Sequence, residues 1–283
     1  MTLSAQIEAA TGTVPTAIEP LSGGCVGQVY AVKLPGGRQV VAKVDERAHP
    51  CLDVEGYMLR YLGEQSELPV PAVHHSSPHL LIMAFLPGDS RFPAPAQAHA
   101  AELLAALHRV RAPRFGLERA TLIGGLHQPN PWYDRWIPFF GEQRLHYMAR
   151  EAEEAGRLPP AIRARVERLA ANLDRWLDEP EHPSLIHGDV WTTNVLAVGE
   201  RITGFVDPAI YYAHPEIELA FTTLFGTFGD AFFARYRELR PLPAGFFEER
   251  RHIYNLYPLL VHVRLFGGTY VGSVDSTLSR FGY

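Results

Sequence analysis

Apolar residues in the first 86 positions mostly follow the short periods of β-strands. Apolar and β-branched runs predict strands at 17–21, 28–34, 38–44 and 79–86, with a shorter one among the prolines before 79. Pro-Gly-Gly at 35–37 predicts a hairpin turn, and apolar positions at helical spacing predict one helix over 52–62. This part of the chain is expected to form a five-stranded antiparallel sheet with one helix.

A Pro-Gly-Asp-Ser segment at 87–90 is typical of a linker. After it, apolar residues recur at the longer spacing of helices. Helical patterns cover 97–109, 131–154, 160–177 and most of the chain from 216 onward, and strand-like pieces occupy 184–207. We therefore predict an α+β, two-lobe fold, with a sheet-rich lobe at 1–86 and a larger, mostly helical lobe at 87–283.

Composition narrows the classes of function. The net charge of −5 gives no basic excess for binding nucleic acid, and no apolar run is long enough to span a membrane. The N-terminus lacks the pattern of a signal peptide, and two cysteines are too few for a disulfide framework or a thiolate zinc site. We expect a cytoplasmic protein without nucleic-acid or membrane partners.

A glycine cluster joins the first two predicted strands. Ser22, Gly23, Gly24 and Gly27 fit the glycine-rich loop that covers nucleotide phosphates, because residues with little or no side chain let the backbone approach phosphate oxygens. A plain turn is the alternative. Cys25 lies at the tip of this loop, where an electropositive setting would favour its thiolate, so it is a candidate redox site.

One hairpin later, Lys43 follows three apolar residues in a predicted strand. A lysine on a buried face needs an anion, and Glu55 on the next helix is the candidate partner. Kinases use such a pair to hold the α- and β-phosphates of ATP. An exposed lysine and an exposed glutamate are the alternative.

The spacing of four polar residues is more specific. His187 and Asp189 are followed by Asn194 and then by Asp207. Kinase catalytic loops place a histidine, a base aspartate and a magnesium-binding asparagine at this spacing, and a second magnesium ligand follows a hairpin. The pattern predicts Asp189 as the general base and Asn194 and Asp207 as ligands of Mg²⁺.

The segments 185–191, 207–212 and 214–220, together with the loop at 22–25, resemble the fructosamine/ketosamine-3-kinase family. That family is a branch of the aminoglycoside and choline phosphotransferase-like kinases. The resemblance implies a protein-kinase-like fold and ATP-dependent phosphorylation of the 3-hydroxyl of ketosamines, which makes the adduct labile. The substrate would be a glycated small molecule or a glycated protein lysine. Thr192 and Thr193 depart from the small residues usual in the family, which bears on which sugar fits.

Further residues are assigned by their position in this pattern. Met83 and Phe85 would belong to the hinge that binds adenine through backbone groups. Trp191 would form the floor of the sugar site, and His214 and Glu216 would meet the cationic amine; a core tryptophan and a helix cap are the alternatives. Glu218 is expected to brace the backbone of the catalytic loop.

Three other functions remain open at this point. An aminoglycoside kinase or another small-metabolite kinase shares the superfold, and a non-catalytic nucleotide-binding scaffold is the non-enzyme alternative. A protein kinase is disfavoured, because Asp-Pro-Ala stands at 207–209 instead of Asp-Phe-Gly. The chain is expected to be a monomer, or a dimer linked through Cys25 under oxidising conditions.

Overall fold

The computed structural model describes residues 2–21 and 27–283. Its strands, in chain order, are β1 (Ala17–Leu21), β2 (Gln28–Lys33), β3 (Gln39–Val44), β4 (Val73–Ser76), β5 (Leu80–Ala84), β6 (Thr121–Ile123), β7 (Leu126–Gln128), β8 (Ser184–Ile186), β9 (Val195–Val198), β10 (Arg201–Phe205) and β11 (Tyr211–Ala213). Its helices are α1 (Leu3–Thr11), α2 (Leu52–Gln65), α3 (Ala94–Leu107), α4 (Trp136–Phe140), α5 (Tyr147–Glu154), α6 (Pro160–Ala170), α7 (Glu216–Leu224), α8 (Asp230–Leu239), α9 (Arg251–Phe266) and α10 (Thr269–Arg280).

Strands β1 to β5 form the predicted five-stranded sheet, in the order β1-β2-β3-β5-β4, with every neighbouring pair antiparallel. Alternate residues of each strand point to opposite faces. One face carries an apolar cluster that includes Ala42 and Ile82, and the other packs Leu81 and Met83 against α2. Lys43 pairs with Leu81 across β3 and β5, which puts its side chain on the α2 face.

The prediction of a single helix in this region is wrong. Helix α1 precedes the sheet, and Ile7 of α1 is fully buried in the apolar cluster of the face opposite α2. Thr2 caps the helix by accepting a hydrogen bond from Ala5 N, and Gly12 ends it with a φ of 70°. Because Ile7 is the one fully buried residue of this nine-residue helix, its apolar pattern is weak.

The remaining elements pack mainly as helices around one large apolar cluster, in which α3 contacts α8 and α7 contacts α9. Two helical predictions were too long. The helix predicted from 131 begins at Trp136, where Glu179 accepts hydrogen bonds from the first backbone amides. The helix predicted over 160–177 ends at Ala170, beyond which the Asn172 side chain bonds back to the carbonyl of Arg168.

The segment predicted as a linker is held against the β9–β10 hairpin. Asp89 and Ala197 exchange two backbone hydrogen bonds of 3.0 and 2.8 Å. Ser90 donates to the carbonyl of Val195, and Thr203 donates to the carbonyl of Pro87. The connection between the sheet and the helical part is therefore tied to the hairpin that separates Asn194 from Asp207.

Candidate active site

The Lys43 side chain lies between the sheet and α2 and is 4% exposed. Its ammonium donates a hydrogen bond of 2.6 Å to Glu55 Oε1 and another to Asp207 Oδ1. Burial alone would lower the pKa of Lys43, but the charges of Asp207 and Glu55 raise it well above its ordinary value. Lys43 is therefore a buried cation that joins α2 to the segment after β10.

Glu55 is the other buried member of this cluster, at 7% exposure. Burial raises the pKa of its carboxyl to about 6, against the opposing effect of the Lys43 charge. The carboxylate has one cation to neutralise it, and that cation is shared with Asp207. The structure thus brings Lys43 and Glu55 together as a buried ion pair, which excludes the alternative of two exposed side chains.

Asp189, Asn194 and Asp207 meet at the open end of the β9–β10 hairpin. Val195 pairs with Phe205 at the base of this hairpin, and Val206 N donates to the Asn194 carbonyl over 3.0 Å. Antiparallel pairing therefore places Asn194 beside Asp207, although they are far apart along the chain. The Asn194 amide nitrogen also donates to Asp189 Oδ2 over 2.8 Å.

The carboxyl of Asp189 is partly buried and close to other negative charge. Burial first, and then the charge of Asp207, raise the pKa of Asp189 to about 8, while the hydrogen bond from Asn194 acts in the opposite direction.

Asp207 has a φ of 53°, and among the described residues it alone has a positive φ without being a glycine. Such strain concentrates at functional sites.

The backbone of the catalytic loop is braced from below. Gly188 has a φ of 84°, and a Cβ there would overlap the carbonyl oxygen of Ala209. The amide of Gly188 donates to Glu218 Oε1 over 2.7 Å, as expected for a brace, and Glu218 is 2% exposed. His108 Nε2 lies 2.8 Å from Glu218 Oε2, and Tyr236 bonds the other ring nitrogen of His108.

Asp189, Asn194 and Asp207 line one pocket between α2 and the helical part, with a volume of about 70 Å³. The pocket is lined by Cys51, Leu52, Glu55, Met58, Leu122, Gly124, Gly125, Asp189, Trp191, Thr193, Asn194, Asp207 and Pro208. Two carboxyl groups besides that of Glu55, one side-chain amide and an indole ring therefore share one concave site.

Comparison with known proteins identifies the family. The sequence model that represents the fructosamine kinase family matches residues 1–281. The chain belongs to the fructosamine kinase family. A probable ketoamine kinase of Synechocystis is 34% identical over 99% of this chain and 95% of its own length. A proposed fructosamine-3-kinase of Thermobifida fusca has a crystal structure with a TM-score of 0.87, 32% identity and coverage of 98% of this chain and 97% of that one.

The fold is shared more widely. An aminoglycoside phosphotransferase, solved in a ternary complex with ADP and hygromycin B, has a TM-score of 0.68 at 18% identity, covering 99% of this chain and 98% of that one. The predicted protein-kinase-like fold is confirmed, and this fructosamine kinase family member is an ATP-dependent phosphotransferase. Over residues 2–21 and 27–283, no helix is both long and apolar enough to cross a bilayer.

Two of the predicted substrate residues do not reach the pocket. Glu216 is 3% exposed, and both of its carboxylate oxygens accept hydrogen bonds of 2.7 Å from Arg250. Burial, followed by the charge of Arg250, lowers the pKa of His214 to about 3, and its ring packs beside Trp136. The prediction that His214 and Glu216 meet the substrate amine is corrected, because Glu216 already neutralises a buried cation.

Trp191 does line the pocket, and its ring lies 5.7 Å from that of Phe225. In the following turn, Thr192–Asn194, the two threonines line different cavities. Thr193 lines the catalytic pocket, whereas Thr192 lines a neighbouring groove and lies 3.3 Å from the hydroxyl of Thr227. The two threonines that depart from the family pattern therefore lie at the boundary between two cavities.

Most of the predicted phosphate loop, Ser22, Gly23, Gly24 and Cys25, lies outside the described residues. Gly27 is described and has a φ of 72°, and a Cβ at this position would overlap the carbonyl oxygen of Val44. Met83 is buried in β5 and Phe85 follows the end of that strand. Their predicted contact with adenine remains a prediction.

The donor set next to Asp189 suits Mg²⁺. Mg²⁺ prefers oxygen ligands, keeps several waters and is held in kinases by a few side chains together with the phosphates. The Asn194 amide nitrogen donates to Asp189, and Asn194 Oδ1 accepts a long hydrogen bond of 3.4 Å from the Thr193 hydroxyl. Asn194 Oδ1 is therefore the atom of this side chain that would bind a metal, and Asp207 supplies a carboxylate to the same pocket. The chemistry of these two residues fits the ion.

Sequence reasoning missed several residues around the site. His108 bonds Glu218 and is itself bonded by Tyr236. These residues lie 110 and 18 positions from Glu218 along the chain, and the sequence around Glu218 gives no signal for such contacts. Cys51, to which the sequence assigned no role, lines the pocket at the start of α2. The β6–β7 hairpin contributes Gly124 and Gly125. Its short strands were not predicted, because apolar residues in this stretch show no regular spacing.

Proposed function

We propose that this fructosamine kinase family member transfers the γ-phosphate of ATP to the 3-hydroxyl of ketosamines, such as fructosamine or ribulosamine adducts. The observation that carries the proposal is the convergence of Asp189, Asn194 and Asp207 on one pocket, in a chain matched by the fructosamine kinase model over residues 1–281. The ketoamine kinase name of the Synechocystis relative supports the substrate class.

In this proposal Asp189 accepts the proton of the attacking hydroxyl. Its pKa, raised to about 8, makes it a stronger base than an exposed aspartate, and general bases work best with a pKa near the working pH. Asn194 orients this carboxylate through its 2.8 Å hydrogen bond. Glu218 fixes the loop backbone through the amide of Gly188.

ATP supplies the phosphoryl group, and Mg²⁺ offsets the negative charge that accompanies its transfer. Asn194 and Asp207 would hold Mg²⁺, and Lys43 would neutralise the α- and β-phosphates while Glu55 fixes its side chain. Ser22, Gly23, Gly24 and Gly27 would cover the phosphates. Met83 and Phe85 would belong to the segment that receives adenine.

The product explains a role in repair. A phosphate ester is a far better leaving group than a hydroxyl, so a ketosamine phosphorylated at carbon 3 can eliminate phosphate and release its amine. The substrate would be a glycated small molecule or a glycated protein lysine, and we place this activity in the cytoplasm. The free thiol of Cys51 is compatible with a reducing compartment.

The decisive experiment measures ADP release, across a titration of Mg²⁺, with fructosamine, ribulosamine and erythrulosamine beside kanamycin and choline. We expect turnover with ketosamines, and phosphorus–proton NMR should place the phosphate on the 3-hydroxyl. Turnover with kanamycin or choline alone would favour the small-metabolite kinase. ATP binding without turnover of any acceptor would favour the non-catalytic scaffold, and activity without Mg²⁺ would remove the metal role.

A further inference from the structure

A second cavity adjoins the catalytic pocket on the far side of Trp191. It is a groove of about 450 Å³ lined by Trp191, Thr192, Phe225, His262, Phe266 and Tyr270. Trp191 lines both cavities, so it separates the groove from the pocket that holds Asp189. Nothing in the predicted mechanism uses this groove.

The groove is built from a continuous row of aromatic rings. The centroid of Phe225 lies 5.7 Å from that of Trp191 and 5.0 Å from that of His262. Tyr270 lies 4.9 Å beyond His262. Phe266 at the end of α9 is 58% exposed, so it presents apolar surface at the outer end of this row.

The lining carries no ionised side chain near neutral pH. His262 is the one lining residue whose side chain can take up a positive charge, and burial lowers its pKa below the ordinary value. Its Nδ1 lies 2.7 Å from the carbonyl oxygen of Pro258, so Nδ1 carries the proton of the neutral ring. The groove therefore offers ring faces and apolar area without a positive charge that would repel an ammonium group.

We propose that this aromatic groove receives the amine carrier of the ketosamine, the organic group attached to its nitrogen, and selects carriers with an aromatic or long alkyl group. The proposal rests on the proposed function. It assigns Phe225, Phe266 and Tyr270 as specificity-determining residues.

Substrate geometry connects the two cavities. The nitrogen of a ketosamine is bonded to carbon 1, and the reacting hydroxyl to carbon 3, so the nitrogen lies at most about 5 Å from the reacting oxygen. With that oxygen at Asp189, the carrier has to leave the catalytic pocket close by, and Trp191 forms the wall shared with the groove. A secondary ammonium beside the indole gains cation–π attraction, and an aromatic carrier beyond it gains ring contacts.

The test compares two fructosamines that share the same ketose, one made from benzylamine and one from methylamine. For the unmodified enzyme we expect kcat/KM to be roughly tenfold higher with the benzyl carrier, mostly through KM, because burying a phenyl ring contributes on that scale. Phe266→Ser and Tyr270→Ser should reduce this ratio to about two, mainly through a higher KM for the benzyl compound. Val14→Ala, at an exposed apolar residue in the sheet-rich part, is the control and should keep the full ratio.

The outcomes separate this inference from the proposed function. If both compounds are phosphorylated and the benzyl-to-methyl ratio of kcat/KM is the same in the unmodified enzyme and in both groove variants, the inference is wrong. The proposed function is then unaffected. Failure to phosphorylate either compound overturns the proposed function and the inference with it. If the Phe266 variant instead breaks a dimer in analytical ultracentrifugation while the ratio stays unchanged, the groove is an interface between copies and the inference is wrong.

Discussion

Asn194 donates through one amide nitrogen to both the side chain and the backbone carbonyl of Asp189, over 2.8 and 3.0 Å. The proposed metal ligand therefore also fixes the orientation of the proposed base. A change at either residue alters the surroundings of the other, so substitutions that keep the hydrogen bond are the informative ones.

Asp189→Asn should abolish most phosphoryl transfer while keeping an acceptor for the Asn194 amide. The substituted side chain cannot take a proton from the substrate, and removal of a general base typically costs about 10² to 10⁴ in rate. We expect kcat to fall by that factor and the Kd for ATP to stay within a few-fold, measured by ADP release and by calorimetry. Near-normal turnover would remove Asp189 from the role of base.

Lys43→Met should reduce stability as well as activity, because it leaves the buried Glu55 carboxylate without its cation. Breaking one side of a buried ion pair typically costs about 3–5 kcal/mol, whereas replacing both partners by apolar side chains costs much less. The double variant Lys43→Met/Glu55→Leu should therefore be more stable than Lys43→Met in urea unfolding, yet equally inactive. A double variant less stable than the single one would contradict this account.

Gly188→Ala should inactivate the enzyme through the backbone of the catalytic loop. Its Cβ would overlap the carbonyl oxygen of Ala209 at a φ that side chains disfavour, so the loop and the nearby Asp189 must move. We expect a loss of at least tenfold in kcat. Gly199→Ala in the β9–β10 turn is the matched control, since its φ is 59° but no atom lies within 4 Å of the added Cβ. Equal losses in the two variants would mean that the clash is irrelevant.

The contribution of His187 to the free energy of unfolding should fall as the pH drops below about 6.5, opposite in sign to the contributions of Asp189 and Glu55, whose pKa values are raised. Burial lowers the pKa of His187 to about 4. Between pH 6.5 and 4 this side chain is therefore protonated in the unfolded chain and neutral in the folded protein. Each such histidine removes up to about 1.4 kcal/mol of unfolding free energy per pH unit in that range and nothing above it. His187→Phe, with its ring still beside Phe205, should show a slope that is smaller by this amount. An unchanged slope in urea titrations at several pH values would argue against a neutral buried His187.

The two cysteines should respond differently to peroxide. We expect activity to fall through oxidation of Cys25 and to return with dithiothreitol, and Cys25→Ala should resist this loss. Burial raises the pKa of the Cys51 thiol, which disfavours the reactive thiolate, so Cys51→Ala should remain as sensitive as the unmodified enzyme. If Cys51→Ala is the resistant variant, the sensitive thiol is the one that lines the catalytic pocket. Sedimentation under oxidising conditions would show whether Cys25 links two copies.

Local patterns in the sequence were enough to predict the sheet, the helix α2 and the pairing of Lys43 with Glu55. Those features depend on alternation, turn residues and short spacings that a single sequence displays. The position of Glu216 could not be predicted in this way, because its partner Arg250 is 34 residues away and a helix cap, a substrate contact and a buried ion pair share the same local sequence. The groove beside Trp191 is likewise a product of long-range packing, since Phe225 and His262 come from different helical segments.

The hydrogen bonds of residues 87–90 to the β9–β10 hairpin restrict how the two halves of the molecule can rotate. Asp89 and Ala197 bond each other in both directions, so this stretch is fixed to the hairpin that separates Asn194 from Asp207. The same hairpin is held from the sheet-rich part as well, because Phe205 N donates to the Pro69 carbonyl and Lys43 donates to Asp207. A substitution that loosens residues 87–90 is therefore expected to disturb the positions of Asn194 and Asp207 without touching either side chain.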